Sequence, residues 1–121
     1  MLDAYCNKFS FENGYIIFEY TREYVYPHQV TVITPEDNHV DLGIEIWDIE
    51  TIDGEIYYLL DGGYEKNTAH IMRFHETSPQ CTGSISLPSQ NIMELGFIDS
   101  KIQLYADGVR QYYNLNGKPI S

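Results

Sequence analysis

Long hydrophobic runs and basic residues are scarce in this sequence of 121 residues. The longest apolar runs, Tyr15–Phe18 and Ile56–Leu60, are far shorter than the roughly 20 residues that cross a bilayer, so no membrane helix is expected. The chain has 7 Lys and Arg residues against 18 Asp and Glu residues, which gives a formal net charge of −11. Nucleic acids and anionic membranes repel such a chain, so we expect direct binding to neither.

Cysteine is also scarce, with only Cys6 and Cys81 in the chain. The two thiols could pair in an oxidising compartment, but two lone cysteines far apart in sequence are more often buried and reduced. The first residues, Met1–Lys8, show neither the basic region nor the apolar region of a signal peptide. We therefore expect a cytoplasmic protein, and the sequence leaves the pairing of the two cysteines open.

Sequence motifs of catalysis are missing as well. There is no phosphate-binding glycine loop, no dinucleotide fingerprint, no Gly-x-Ser-x-Gly elbow and no Cys-x-x-Cys pair. His70 and His75 lie five residues apart, which places them on opposite faces of a strand and prevents them from sharing a metal ion. The sequence therefore predicts a protein that is not an enzyme and has no catalytic residues, cofactor or metal. A small enzyme that uses paired carboxylates stays open as an alternative.

The dominant pattern in the chain is the period of two that is typical of β-strands. In Val40–Ile46 the apolar side chains alternate with Asp41, Gly43 and Glu45, which indicates a strand with one wet face. The stretch Tyr15–Tyr26 alternates in the same way. Turn signals such as Asn13-Gly14, Asp53-Gly54 and Asp107-Gly108 separate such runs. We therefore predict a single all-β domain over residues 1–121, an antiparallel meander of about ten short strands that forms a sandwich or a barrel.

Three segments resemble the closing strands of WD-repeat blades, namely Ile44–Thr51, Ile71–His75 and Val109–Ile120. This resemblance implies a partial, propeller-like arrangement of blades as an alternative architecture. The spacing between the segments is uneven, and a closed propeller needs about four blades of roughly 40 residues, for which this chain is too short.

The negative charge is concentrated in one central segment, residues 36–65, which we call the acidic segment. It contains ten acids and no Lys or Arg, whereas the rest of the chain carries eight acids and seven bases. Dense like charge opposes folding through self-repulsion. Scattered acids would serve solubility equally well, so the clustering favours a role in binding a basic partner.

Aromatic residues accompany the acids, because the chain has 11 tyrosines and its one tryptophan lies in the acidic segment. Carboxylates pair with Arg and Lys, and aromatic rings stack on guanidinium groups. We predict a partner-binding surface made by Asp41, Glu45, Trp47, Asp48, Glu50, Asp53, Glu55, Tyr57, Tyr58, Asp61 and Tyr64.

In size, charge and tyrosine content the chain resembles the small acidic immunity proteins with which bacteria neutralise nuclease toxins. The resemblance implies an inhibitor that binds a basic protein, of the nuclease toxin class, and blocks its active site or substrate cleft. A phage-encoded nuclease inhibitor would have the same properties. The alternative is a β module that binds a peptide or protein without inhibiting it. The sequence does not predict an oligomeric state.

Overall fold

The computed structural model describes residues 4–12, 14–22, 25–62, 67–75, 78–88 and 92–120, and it describes side chains at 14–18, 30–42, 46–62, 67–74, 78–88 and 92–120. These residues form eleven strands and no helix. The strands are β1 (Ala4–Glu12), β2 (Tyr15–Arg22), β3 (Val25–Ile33), β4 (His39–Ile52), β5 (Glu55–Asp61), β6 (Thr68–His75), β7 (Ser78–Ser86), β8 (Ile92–Ile98), β9 (Lys101–Ala106), β10 (Val109–Tyr113) and β11 (Pro119–Ile120).

Consecutive strands pair with each other except β7 and β8, and all of these pairs are antiparallel. Hydrogen bonds join β1 to β7 in chain order into one sheet and β8 to β11 into a second, four-stranded sheet. The predicted all-β antiparallel meander is therefore confirmed. Both sheets have free ends in the part of the chain that the structure describes, so these strands do not close into a barrel.

The seven-stranded sheet folds over on itself at β4. In a flat sheet β2 and β6 would lie four strand spacings, about 19 Å, apart. Instead the rings of Tyr15 on β2 and Phe74 on β6 meet edge to face, with their centroids 5.9 Å apart. The first part of β4 pairs with β3 and its last part pairs with β5, with bulges in both ladders. The fold is thus three four-stranded layers, β1–β4, β4–β7 and β8–β11, with β4 shared by the first two.

Two hydrophobic cores fill the spaces between these layers. The first core lies between the first and middle layers and consists of Ile17, Val30, Val32, Leu42, Ile46, Ile56, Tyr58 and Phe74. The second core lies between the middle layer and the four-stranded sheet and consists of Leu59, Ala69, Ile71, Ile85, Leu87, Leu95, Ile102, Leu104 and Ala106. Neighbours on a strand point to opposite faces, so β5 places Tyr58 in the first core and Leu59 in the second. At β5 the middle layer is therefore covered on both faces, whereas most of β7 is exposed.

Contacts between β7 and the turn before β11 also hold the four-stranded sheet against the middle layer. The hydroxyl of Thr82 on β7 donates to the carbonyl of Leu115 at 2.7 Å. A side chain at Gly83 would come within 2.1 Å of the Asn116 carbonyl oxygen, so only glycine fits there. Position 117 also requires glycine, because a side chain there would collide with the backbone of Ser84 and because the backbone has a φ of +87°.

Two of the tight hairpin turns are those that the sequence indicates, whereas a third, Asp99-Ser100 between β8 and β9, was not predicted. Asp53 and Gly54 join β4 to β5 with φ values of 51° and 79°, and Asp107 and Gly108 join β9 to β10 with 52° and 78°. Two successive positive φ angles define the type I′ turn, whose twist matches that of the flanking strands. In the described residues no helix is long and apolar enough to cross a membrane.

Candidate functional site

The acidic segment lies mostly along β4 and β5, and a bulge in β4 decides where its side chains point. Ile46 pairs with Leu60 and Asp48 pairs with Leu59, so Trp47 is the extra residue. Ile46 is 1% exposed in the first core, whereas Trp47 packs half-buried against the second core. Much of the Trp47 side chain, which was predicted to contact a partner, is thus covered by the protein interior.

Asp48 joins the two sheets. One carboxylate oxygen accepts the backbone N–H of Ile49 at 2.8 Å, and the other accepts that of Phe97, on the edge strand β8, at 2.9 Å. A β-carbon at position 96 would come within 2.8 Å of the Asp48 carboxylate. The absence of a side chain at Gly96 therefore makes room for this carboxylate. A carboxylate held by two backbone donors has a structural role, which the sequence-based assignment of Asp48 to a binding surface did not anticipate.

Tyr58, which was predicted to contact a partner, is 1% exposed and belongs to the first core, so its side chain is not part of the surface in this structure. Burial, and to a smaller extent the charge of Cys81, raises the pKa of Tyr58 from 10.0 to about 12. Its position follows from the strand period, because Ile56 and Tyr58 alternate with Tyr57 and Leu59 on the other face. A run of consecutive aromatic and aliphatic residues gives no sign of which face is buried.

The turn between β4 and β5 brings several predicted residues together at one end of the middle layer. We call Glu50, Asp53, Glu55 and Tyr57 the acidic corner. Glu50 and Asp53 are exposed, and Glu55 and Tyr57 are partly exposed. Glu50 pairs with Tyr57 across the β4–β5 ladder, which places a carboxylate beside an aromatic ring. A partner could therefore meet charge and an aromatic contact at one place.

Arg73 on β6 completes this corner, although the sequence analysis did not select it. It pairs with Tyr57 in the ladder, and its Nε lies 3.6 Å from the Glu55 carboxylate. Its guanidinium also donates to the side chain of Gln80 at 3.0 Å. Arg73 neutralises part of the corner and leaves Glu50 and Asp53 as its exposed acids. Only strand register connects Arg73 to the acidic segment, so sequence spacing offers no signal for it.

A second group of exposed acids lies at the other end of β4. Glu36 and Asp37 are in the turn between β3 and β4, where His39 lies 3.8 Å from Asp37. Asp41 is exposed and accepts a hydrogen bond of 2.6 Å from the Thr31 hydroxyl. From Asp41 to Glu50 the strand advances nine residues, which is at most about 30 Å. The acidic segment therefore presents two separated groups of acids rather than one continuous surface.

Three predicted residues, Glu45, Asp61 and Tyr64, are not placed in either group of acids. Asp61 is partly exposed at the end of β5, where it pairs with Ala69. The side chain of Glu45 and all of Tyr64 lie outside the described residues. Cys81 is an exposed free thiol, and the side chain of Cys6 is not among those described, so the pairing of the cysteines stays open.

Potential metal ligands and reactive side chains are a further feature of the described part of the chain. No group of three or more His, Cys, Asp or Glu side chains could hold a metal ion among these residues. His70 Nδ1 and Ser84 Oγ lie 2.8 Å apart on neighbouring strands, in directly paired positions of the β6–β7 ladder. Cross-strand pairs of this kind are common in sheets, and this one alone does not make a reactive serine.

The fold and this surface define an all-β antiparallel domain with a strongly acidic central segment. Comparisons of the chain with models of protein families, with characterised proteins and with solved structures find no match.

Proposed function

We propose that this protein is an immunity or inhibitor protein that binds a basic protein partner, of the nuclease toxin class, and blocks its active site or substrate cleft. The acidic corner is the contact we assign to this partner. The observation that carries the proposal is that Glu50 and Asp53 stay exposed beside the half-buried ring of Tyr57. The two exposed carboxylates attract Lys and Arg, and the ring offers the aromatic contact that dominates many interfaces.

The charge of the whole chain supports the same proposal. At −11 the protein attracts a basic partner over long range and accelerates encounter at low salt. A nuclease has to bind phosphates and therefore presents a basic cleft, for which exposed carboxylates are an alternative ligand. A β module that binds basic peptides without inhibiting an enzyme would share this surface, so the test includes an activity measurement.

The test compares two variants with equal changes of charge at opposite ends of β4. One is Glu50→Lys with Asp53→Asn at the acidic corner, and the other is Glu36→Lys with Asp37→Asn at the distant turn. Asp37 and Asp53 both have positive φ angles, of 69° and 51°, which Asn tolerates, so the backbone strain is matched. Asp48 is left unchanged because its carboxylate holds Phe97 in place.

The immobilised protein is used to capture partners from a lysate of its host, and a captured nuclease is then purified and assayed with and without the protein. We expect a basic nuclease whose activity falls to zero at a stoichiometric amount of the protein. The acidic-corner variant should slow association at least tenfold at low salt, and the distant variant should do so less than threefold. Equal effects of the two variants, or a nuclease that stays active in the complex, would contradict the proposal.

A further inference from the structure

The outer face of the four-stranded sheet, which points away from the second core, has a composition opposite to that of the acidic segment. On β9, Ile102, Leu104 and Ala106 are buried, so Lys101, Gln103 and Tyr105 point outward. Arg110 pairs with Tyr105, and Tyr112 pairs with Gln103. We call Lys101, Gln103, Tyr105, Arg110 and Tyr112 the cation–tyrosine face.

Each cation on this face lies over a tyrosine ring. The guanidinium carbon of Arg110 is 4.4 Å from the centre of the Tyr105 ring, and Lys101 Nζ is 4.9 Å from the centre of the Tyr112 ring. The ion pairs found in the described residues, His39 with Asp37 and Arg73 with Glu55, include neither cation. The nearest acid on the face, Glu94, accepts a hydrogen bond of 2.8 Å from the Gln103 amide. Cation–π contact thus orients both positive groups and leaves their charge uncompensated by a carboxylate.

The local charge of this sheet differs from that of the whole chain. Residues 92–120 carry three acids and three bases. Asp99 and Asp107 occupy the hairpin turns at the two ends of β9, away from the middle of the face. Charges farther away than about 8 Å are largely screened at physiological ionic strength. An approaching group in the middle of this face therefore meets two cations, Lys101 and Arg110, and one acid, Glu94, which pairs with Tyr105, and the distant acidic segment affects it little.

We propose that the cation–tyrosine face binds an extended acidic segment of a partner protein, with two carboxylates two residues apart in its sequence. Tyr105 and Tyr112 are diagonal neighbours in the ladder, which places their backbone positions about 7–8 Å apart. Arg110 and Lys101 each lie within 4.9 Å of the centre of one of these two rings. Side chains at positions i and i+2 of an extended peptide project from the same face, about 7 Å apart. Ile98, 41% exposed and opposite Lys101, offers an apolar contact beside the charges.

An acidic peptide fits this face better than a nucleic acid does. Single-stranded nucleic acids bind to sheets by stacking bases on exposed aromatic rings, and here a cation already covers a face of each ring. Nucleic-acid affinity also grows with the number of phosphates that are neutralised, and this face has only two suitable cations. A carboxylate needs only one cation, and Arg110 can give it two parallel hydrogen bonds while Lys101 gives it a charge-assisted one.

The test measures the binding of fluorescent peptides by anisotropy at 0.15 M salt. The probe is an extended Thr- and Val-rich peptide with glutamates at i and i+2, and the controls have the two glutamates adjacent or replaced by lysines. We expect the i, i+2 peptide to bind at least about fivefold more tightly than the adjacent-glutamate peptide, because adjacent side chains point to opposite faces. Equal binding of these two acidic peptides, or tighter binding of an oligouridylate of similar length, would overturn the proposal.

Variants of the protein locate the contact. Arg110→Gln and Lys101→Gln should each weaken binding of the i, i+2 peptide about fivefold, whereas Lys118→Gln, with the same loss of charge in the neighbouring turn, should change it less than twofold. Tyr105→Phe keeps the ring under Arg110 and should retain binding, and Tyr105→Leu should lose part of it. An effect of Lys118→Gln equal to that of Arg110→Gln would show that net charge, not this face, attracts the peptide. Thermal unfolding of each variant confirms that it folds.

Discussion

At the scale of single residues, the acidic segment contains side chains with opposite roles. Glu50 is exposed to solvent, Asp48 two residues earlier holds two backbone N–H groups, and Tyr58 is part of a hydrophobic core. A strand turns successive side chains to opposite faces, so neighbours in sequence need not share an environment. Counting the acidic and aromatic residues of a segment therefore overestimates how many of them are exposed for contact with a partner.

Burial of Tyr58 predicts a specific dependence of stability on pH. The phenol has a pKa of about 12 in the folded protein and its usual value near 10 when the chain unfolds. Below pH 10 it is protonated in both states, and its ionisation does not affect stability. As the pH rises from 10 to 12 only the unfolded state loses the proton, so the free energy of unfolding falls by roughly 1.4 kcal/mol for each pKa unit, between about 2 and 3 kcal/mol in total.

Urea unfolding of wild type and Tyr58→Phe at pH 9 to 12 checks this expectation. The variant lacks the ionisable group, so its free energy of unfolding should fall less over this range than that of the wild type. Cys81→Ser removes the smaller contribution to the raised pKa and should reduce the fall only in part. Parallel pH dependences of wild type and Tyr58→Phe would mean that Tyr58 ionises as readily in the folded protein as in the unfolded chain.

At the scale of strands, the edge of β8 depends on one side chain from another sheet. An edge strand presents unpaired backbone groups that have to find partners or face water. The Phe97 N–H on this edge is satisfied by Asp48, and the bulge at Trp47 aims that carboxylate at it. The β-bulge thus orients an acidic side chain of one sheet so that it forms a hydrogen bond with the other sheet.

Replacing Asp48 should therefore destabilise the protein far more than replacing its exposed neighbour. Asp48→Ala removes two hydrogen bonds to a charged acceptor, and we expect the free energy of unfolding to fall by about 2–3 kcal/mol. Glu50→Ala, two residues away on the same strand, should change it by less than about 0.5 kcal/mol. Urea denaturation of both variants at pH 7 measures the difference. Similar values for the two would show that the Asp48 contacts add nothing to stability.

Strand bulges also explain which elements could be predicted from the sequence. The all-β class and the Asp53-Gly54 and Asp107-Gly108 turns follow from local patterns, and the structure contains them. The strand β1 was not anticipated, because a bulge between Cys6 and Lys8 shifts the alternation by one residue and hides the period of two. The predicted stretch Tyr15–Tyr26 is two strands, β2 and β3, and the residues that join them, 23–24, lie outside the described part.

The candidate site was predictable only in part, for a related reason. The exposed acids Glu50 and Asp53 lie where a polar strand end and a turn predict them. The participation of Arg73 and the pairing of Lys101 and Arg110 with tyrosines depend on which residues face each other across ladders. Cross-strand register is a long-range property, and a pattern read along one segment does not contain it.

At the scale of the whole molecule, the charge of −11 is distributed unevenly over three layers. The four-stranded sheet is locally neutral, and the two groups of exposed acids lie at opposite ends of β4, where their nearest members, Asp41 and Glu50, are at most about 30 Å apart. The screening length is about 30 Å at 0.01 M salt and about 8 Å at 0.15 M. The two groups therefore repel each other at low salt, and at physiological salt each of them acts separately.

The repulsion between the two groups at low salt predicts that added salt stabilises the folded protein. Between 0.01 and 0.15 M NaCl at pH 8, screening should raise the free energy of unfolding by roughly 1 kcal/mol, which corresponds to a rise of about 4 °C in the melting temperature. A variant with all four changes, Glu36→Lys, Asp37→Asn, Glu50→Lys and Asp53→Asn, keeps only Asp41 and Glu55 of the acids in the two groups and should respond about half as strongly. Calorimetry at the two salt concentrations gives both values. If the variant and the wild type respond equally, the repulsion does not come from these two groups, and the acids at the ends of β4 are far enough apart to be independent even at low salt.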